Sequence, residues 1–278
     1  MIKTGSNRLC SESGPLACSR CFPDKTPEDF WLRKHRYQAY FRNADHFIAP
    51  SEFLRDRYIE WGLPAENLHV IENAQQPRRP LPPRPLEEGE TRNRFGFFGQ
   101  ITPTKGLDVV LRGLNQLTKQ EQRKIVLEIH GANLEKQPQE FQERVAALME
   151  PLVKRGVVQW MGSYEASELE TRMANIDWVI VPSVWWENSP MVIQEAFGFG
   201  RPVICSNIGG MAEKVENGVA GIHLPVANSR VWGEGLVRAS RIDSEWDVLA
   251  KNLTVPPGME SAVDRHLELV GVSGLEGL

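Results

Sequence analysis

Apolar positions in this chain follow two spacings. RFGFFG (94–99), IVLEIHG (125–131), VVQWMG (157–162), WVIVPS (178–183), PVICS (202–206) and GIHLP (221–225) are apolar almost throughout, as strands covered on both faces must be. Between them the spacing changes to that of helices. Leu107, Val110, Leu111, Leu114 and Leu117 form one helical stripe, and further helices are expected at 139–154, 165–174, 190–197 and 211–216. Strands that alternate with helices predict right-handed βαβ units and a parallel sheet. The expected class is α/β, with a Rossmann-like domain over 92–240.

Upstream the pattern is thinner. A helix at 27–43, a short run HFIAP (46–50), a helix capped by Ser51 and stopped by Gly62, and a strand LHVIEN (68–73) make two strands and two helices. A sheet covered on both faces needs more, so residues 1–74 read as the tail of a second, incomplete Rossmann-like domain. Residues 75–91, QQPRRPLPPRPLEEGET, carry prolines at 77, 80, 82, 83 and 85 and predict an extended polyproline II linker. Its RPLPPRP core (79–85) also fits a proline-rich ligand of SH3-type domains, although a connector is the simpler reading. Residues 241–278 hold two further helical patterns, EWDVLAKNL and ESAVDRHLELV.

Composition narrows the function classes. Among 278 residues, 32 Lys and Arg face 36 Asp and Glu, a net charge of −4, so no global charge recruits nucleic acid or an anionic membrane. No apolar run is long enough to span a bilayer, and no apolar core follows the N-terminal lysine, so the expectation is a cytoplasmic protein. Cys10, Cys18 and Cys21 are spaced C-x7-C-x2-C; three thiolates with His35 as a fourth ligand would make a structural zinc site, the alternative being reduced thiols. Cys205 reads as core.

Ligands of a doubly wound sheet bind at the carboxyl ends of its strands. The segment there that is richest in chemistry is VPSVWWENSPMVIQEAFGFG (181–200). Ser189 as N-cap and Pro190 at the first helical position would leave the N–H groups of Met191 and Val192 free at a positive helix end, a cradle for a diphosphate. Glu187 precedes the helix and Glu195 lies within it, eight residues on; were both helical they would stand about 12 Å apart along the axis. That separation is too wide for two carboxylates acting on one glycosidic bond. It suits the two ends of a nucleotide sugar: sugar hydroxyls at Glu187 and the ribose diol at Glu195. In the loop FFGQITPTKG (97–106), Gly99 admits close approach of a ligand and Lys105 can reach phosphate oxygens. Each of these residues alone is more often structural; the argument rests on their coming together.

In order, APSEFLRDRYIEWGLPAENLHVIEN, FGFFGQITPTKGLDVVLRGL and VPSVWWENSPMVIQEAFGFGRPVICSNIGGMAEKVENGVAG resemble glycosyltransferase family 4, retaining and metal-independent sugar transferases of the GT-B fold. The resemblance covers about 45–225. It implies transfer from a UDP- or GDP-sugar to a hydroxyl of a glycan or lipid-linked glycan, in polysaccharide or glycolipid synthesis. It implies that Glu195 binds the ribose diol, that Glu187, Asn188, Ser189, Pro190, Met191 and Val192 hold sugar and phosphates, and that Lys105 contacts the diphosphate. It implies that Gly99 and Gly209–Gly210 match glycines of the donor cleft and its edge, and base selection is expected to depend on backbone contacts around Gly162–Tyr164. Gln100 stands where the family usually has arginine. Residues 1–74 correspond to the end of an acceptor-side domain, the catalytic histidine of which is not matched by His35 or His46. The C-terminal helices correspond to a segment crossing back onto that domain. A partner chain or self-association would complete it, and peripheral attachment to the inner membrane face fits such synthesis. The alternative is a non-catalytic nucleotide-sugar-binding module.

Overall fold

The computed structural model describes residues 9–10, 14–241 and 243–271. They divide into two units, one holding the described residues up to Asn73 and from Glu260, the other running from Ala74 to Met259.

The smaller unit comprises α1 (Pro15–Cys21), α2 (Pro27–Phe41), β1 (Phe47–Ala49), α3 (Glu52–Trp61) and β2 (Leu68–Val70). Thr26 and Asp29 form a capping box at the start of α2. Ser51 Oγ accepts from Leu54 N at 3.2 Å to start α3, and Gly62, at φ 109°, ends it. β1 and β2 pair in parallel, with Phe47 opposite Leu68. Two strands offer little surface to cover. No residue of α2 is buried, and Trp31, Leu32, Tyr37 and Tyr40 remain exposed.

The larger unit continues with β3 (Arg94–Gln100), α4 (Leu107–Gln116), α5 (Lys119–Gln122), β4 (Val126–Ala132), α6 (Gln139–Lys154), β5 (Val158–Gly162), α7 (Leu169–Ala174) and β6 (Trp178–Val181). α8 (Met191–Gly198), β7 (Val203–Ser206), α9 (Gly209–Lys214), β8 (Gly221–Leu224), α10 (Ser229–Ala239) and α11 (Asp243–Lys251) complete it. Its six strands are all parallel in the order β5-β4-β3-β6-β7-β8. The chain winds outward from β3 in one direction and from β6 in the other, which puts the topological switch between those two strands. The apolar strands are explained by a core on each face. Phe95, Phe97 and Ile129 join Leu111 and Trp232 in one cluster, while Phe98, Val179 and Val181 join Ile193 and Met211 in the other. The last helix, α12 (Met259–Leu269), lies almost wholly in the smaller unit, where Arg265 Nη2 donates to the Val70 carbonyl at 2.6 Å.

Helix α10 has no counterpart in the periodicity reading. Gly233 and Gly235 weaken its helical signature, yet Gly233 is needed. A Cβ there would lie 2.6 Å from the Gly113 carbonyl oxygen, and one on Gly113 would lie 2.2 Å from the Ser229 carbonyl oxygen, so α4 and α10 touch backbone to backbone.

The proline-rich stretch is extended, as its composition predicts, but it is no bare tether. Prolines leave carbonyls without neighbouring N–H partners, and buried arginines supply the donors. Arg201, fully buried, donates to the carbonyls of Met173, Leu81 and Pro82. Burial lowers its guanidinium to about 10, which still leaves it charged at neutral pH. Arg84, also buried, binds Asp177 and Glu90. Within the RPLPPRP core Arg84 is buried, Leu81 is half-buried, and Arg79 and the four prolines are exposed, so the segment is held at its backbone and at Arg84. Among the described residues no helix is long and apolar enough to cross a membrane.

Candidate functional site

The loops that leave β3 and β6 flank the switch point. Gly99, next to last in β3, has φ 129° and open space where a Cβ would sit, and Gln100 beside it is exposed. Gly106 then turns the chain into α4 at φ 71°; a Cβ on it would lie 2.0 Å from the Pro182 carbonyl oxygen. Val184 N donates to the Thr104 carbonyl at 2.9 Å, so the two loops are bonded to each other. The α9 start closes the far side. Gly210 N donates to the Glu187 carbonyl at 2.7 Å, and a Cβ on Gly210 would lie 1.9 Å from the Asn188 carbonyl oxygen.

This packing brings Lys105 and Glu187 together from 82 residues apart. Lys105 Nζ lies 2.8 Å from Glu187 Oε1, and Ser183 Oγ donates to the same oxygen at 2.8 Å. The Glu187 side chain is 12% exposed and that of Lys105 36%, so the pair opens to solvent on the lysine side. The sequence assigned these residues to sugar and diphosphate separately; here they form one ion pair. Ser183 was missed, although its place at the end of β6, four residues before Glu187, was a signal.

Helix α8 begins one residue later than expected. Pro190, at ψ 115°, is the N-cap, and Ser189 does not cap the helix. Its Oγ is buried and, among the described residues, has no hydrogen-bond partner. Met191 and Val192 occupy the first helical positions, Met191 exposed, so their N–H groups lie at the open end of the helix. Asn188 is exposed on the loop before it.

Glu195 lies along the same helix with its side chain 19% exposed. Burial pushes its carboxyl upward, while Arg78, 3.6 Å away, pulls it back down. Tyr164 faces it from the β5 loop; burial and the Glu195 charge both raise its phenol. Arg172 fixes that loop by donating to the Met161 and Ser163 carbonyls, both at 3.0 Å, and to His130 Nδ1 at 3.1 Å, and it lies over the Tyr164 ring. The sequence reading passed over Arg172, whose i, i+4 pairing with Glu168 resembles a solvated helix face.

Among the described residues no group of three or more His, Cys, Asp or Glu side chains is gathered to hold a metal ion. Cys18 and Cys21 sit on α1, and His35 stacks on Trp31 with Nδ1 2.9 Å from the Trp31 carbonyl oxygen. Burial pushes the Cys205 thiol up, in keeping with a core cysteine.

Gly106 and Gly210 give a direct check of this geometry. Alanine at either position forces a methyl group into a backbone carbonyl and should separate the loops that carry Lys105 and Glu187. We expect Gly106→Ala and Gly210→Ala to lower the melting temperature by several degrees, at about 2–4 °C per kcal/mol for a domain of this size. Thermal melts unchanged from the parent would show the loops to be looser than described.

Residues 80–251 match the family described as Glycosyl transferases group 1, and residues 19–79 match Glycosyltransferase Family 4. The chain is 25% identical over 214 residues to a putative colanic acid biosynthesis glycosyltransferase, WcaL, of Escherichia coli, covering 75% of this chain and 51% of that protein. It is 27% identical over 191 residues to a lipopolysaccharide 1,2-N-acetylglucosaminetransferase of Salmonella typhimurium, covering 66% and 49%. The chain therefore spans about half the length of the curated relatives it matches. Its fold superposes on Anabaena HepE in complex with UDP-glucose with a TM-score of 0.68 at 21% identity, covering 88% of this chain and 68% of that one. With most of its length matched, the chain belongs to the group 1 glycosyltransferases of the GT-B fold.

Proposed function

We propose that this chain carries the donor site of a retaining glycosyltransferase, one that moves a sugar from a UDP- or GDP-sugar to a hydroxyl of a glycan or lipid-linked glycan. The observation that carries the reading is the arrangement at the switch point. A cation and carboxylate, Lys105 and Glu187, lie beside the open end of α8, and a second carboxylate, Glu195, lies further along that helix. HepE binds UDP-glucose, and the relatives are named for colanic acid and lipopolysaccharide synthesis, which supports a nucleotide-sugar donor and a glycan acceptor.

In this reading the diphosphate lies against the N–H groups of Met191 and Val192, with Lys105 alongside and the Ser189 hydroxyl as a further donor. Asn188 and Glu187, the latter held by Ser183, face the sugar. Gly99 lets the ligand approach the β3 backbone, and Gln100 offers a neutral amide. Glu195 accepts both hydroxyls of the ribose, and the base rests near Tyr164. During transfer the bond from the anomeric carbon to the phosphate oxygen breaks, and the bond to the acceptor oxygen forms on the same face. The acceptor proton passes to the departing phosphate oxygen. The protein contributes fixed dipoles and a cation where negative charge develops.

The test is the anomeric configuration of the product. With a UDP- or GDP-sugar and a glycan acceptor, proton NMR should show the configuration of the donor preserved. An inverted product would overturn the retaining mechanism. Gln100, which supplies no cation to the diphosphate, favours a second reading, a module that binds nucleotide sugar without turning it over. Binding without any product would select that one.

A further inference from the structure

Arg78 stands near the start of the proline-rich stretch, and that stretch is pinned on both sides of it. Before it, Gln75 Nε2 donates to Gln194 Oε1 on α8 at 3.1 Å. After it, Leu81 N donates to the Phe199 carbonyl at 3.2 Å. Between these pins the Arg78 stem lies on Gly198, where a Cβ would come within 3.2 Å of it, and the guanidinium sits 4.7 Å above the Phe199 ring. Its Nη2 reaches to 3.6 Å from Glu195 Oε1, while Nε is buried and has no hydrogen-bond partner among the described residues.

We propose that Arg78 is a positioning residue of the nucleoside end of the donor site: braced on Phe199, it keeps the Glu195 carboxylate ionised and aimed to accept the ribose hydroxyls. The proline-rich stretch is then a wall of the site. This inference rests on the donor-site reading above and goes beyond it by giving the stretch a task in binding. The physical need is plain. Burial favours the neutral carboxyl at Glu195, and a protonated carboxyl is a poorer partner for two hydroxyls than a carboxylate. Among the described residues Arg78 and Tyr164 are the titratable groups facing Glu195; a neutral phenol supplies no compensating charge, and Arg78 does.

The sign of the pH effect follows. Removing Arg78 removes the influence that lowers the Glu195 carboxyl, so protonation begins at higher pH and nucleotide binding is lost earlier as pH falls. Calorimetric titrations of the full chain with UDP, GDP and ADP across mildly acidic to neutral pH read this out. Arg78→Met keeps the apolar stem and should weaken the best-bound nucleotide roughly tenfold at neutral pH, the worth of one charge-assisted contact. Its acid limb should move to higher pH, and Arg78→Lys should restore most of both. In a Glu195→Gln background Arg78→Met should have no further effect, because its partner is gone. Wild-type binding and an unmoved acid limb in Arg78→Met would overturn the inference. So would an equal loss in both backgrounds, which would mark Arg78 as simple packing. If the wild type binds none of the three, or Glu195→Gln binds as well as the wild type, the donor-site reading itself fails and takes the inference with it.

Discussion

Replacing Lys105 with alanine should lower sugar-transfer turnover by about two to three orders of magnitude, or about 2–4 kcal/mol of barrier, the range for removing one preorganised charge stabiliser. Charge appears on the departing diphosphate only as the anomeric bond breaks, so a fixed cation there acts mainly on the transition state. The ammonium is fixed before any ligand arrives: its loop is bonded to the β6 loop and it is held 2.8 Å from Glu187. The side chain is about a third exposed, so its removal should change thermal stability little. Glu187 would keep its bond from Ser183. Initial rates of donor consumption on purified Lys105→Ala, compared with the parent, check this. Unimpaired turnover would reduce Lys105 to a surface partner of Glu187.

The largest stability effect should come from Asp177, at the opposite end of the sheet. It is fully buried at the start of β6, where Oδ2 accepts from Arg84 Nη2 at 3.0 Å and from Arg94 N at 3.1 Å, and Oδ1 lies 3.3 Å from Arg92 Nη1. Its backbone carbonyl takes the Trp246 indole N–H at 2.7 Å, and Arg92 lies over that ring. Asp177→Ala leaves a buried guanidinium, a second one beside it and a backbone N–H without their shared acceptor. Breaking a buried pair from one side costs about 3–5 kcal/mol. Denaturant unfolding of the purified variant should report that loss, with a melting point lowered on the order of ten degrees. A change under about 0.5 kcal/mol would mean that the arginines find water instead. Because Arg84 also anchors the stretch that carries Arg78, the variant should bind nucleotide more weakly even where it stays folded.

The sheet was legible because burial on both faces leaves its mark in the central strands: β6 is WVIV and β7 is VICS, each buried throughout, whereas the edge strand β5, VQWMG, is buried only at Val158. A parallel sheet followed from the βαβ alternation, and with it the expectation that a ligand lies at the carboxyl ends of the strands; the strand order came only from the structure. Local chemistry was legible where a short stretch decides it, as at Ser51 and Gly62 around α3. It failed where the decision is tertiary. α10 was hidden by glycines that exist to let it touch α4. Pro190 matches the pattern of a first helical residue, but its ψ is set by the turn from the 182–189 loop, and that moves the cap by one position. The arginines are the largest gap. Arg78, Arg84 and Arg201 find their partners some 28 to 120 residues away, on Glu195, Asp177 and the carbonyls of Met173, Leu81 and Pro82. Composition reveals an extended proline-rich chain; it does not reveal what that chain lies on. The pairing of Lys105 with Glu187 is of the same kind, since topology puts both loops at the switch point and only packing joins them.

The central claim is a donor site with Glu195 at its nucleoside end. Calorimetric titration of the purified chain with UDP, GDP and ADP, beside a Glu195→Ala variant of unchanged melting behaviour, tests it most directly. One nucleotide should bind in preference to the other two, and the variant should lose this binding. Equal binding by the variant, or no binding of any nucleotide by the parent, would contradict it.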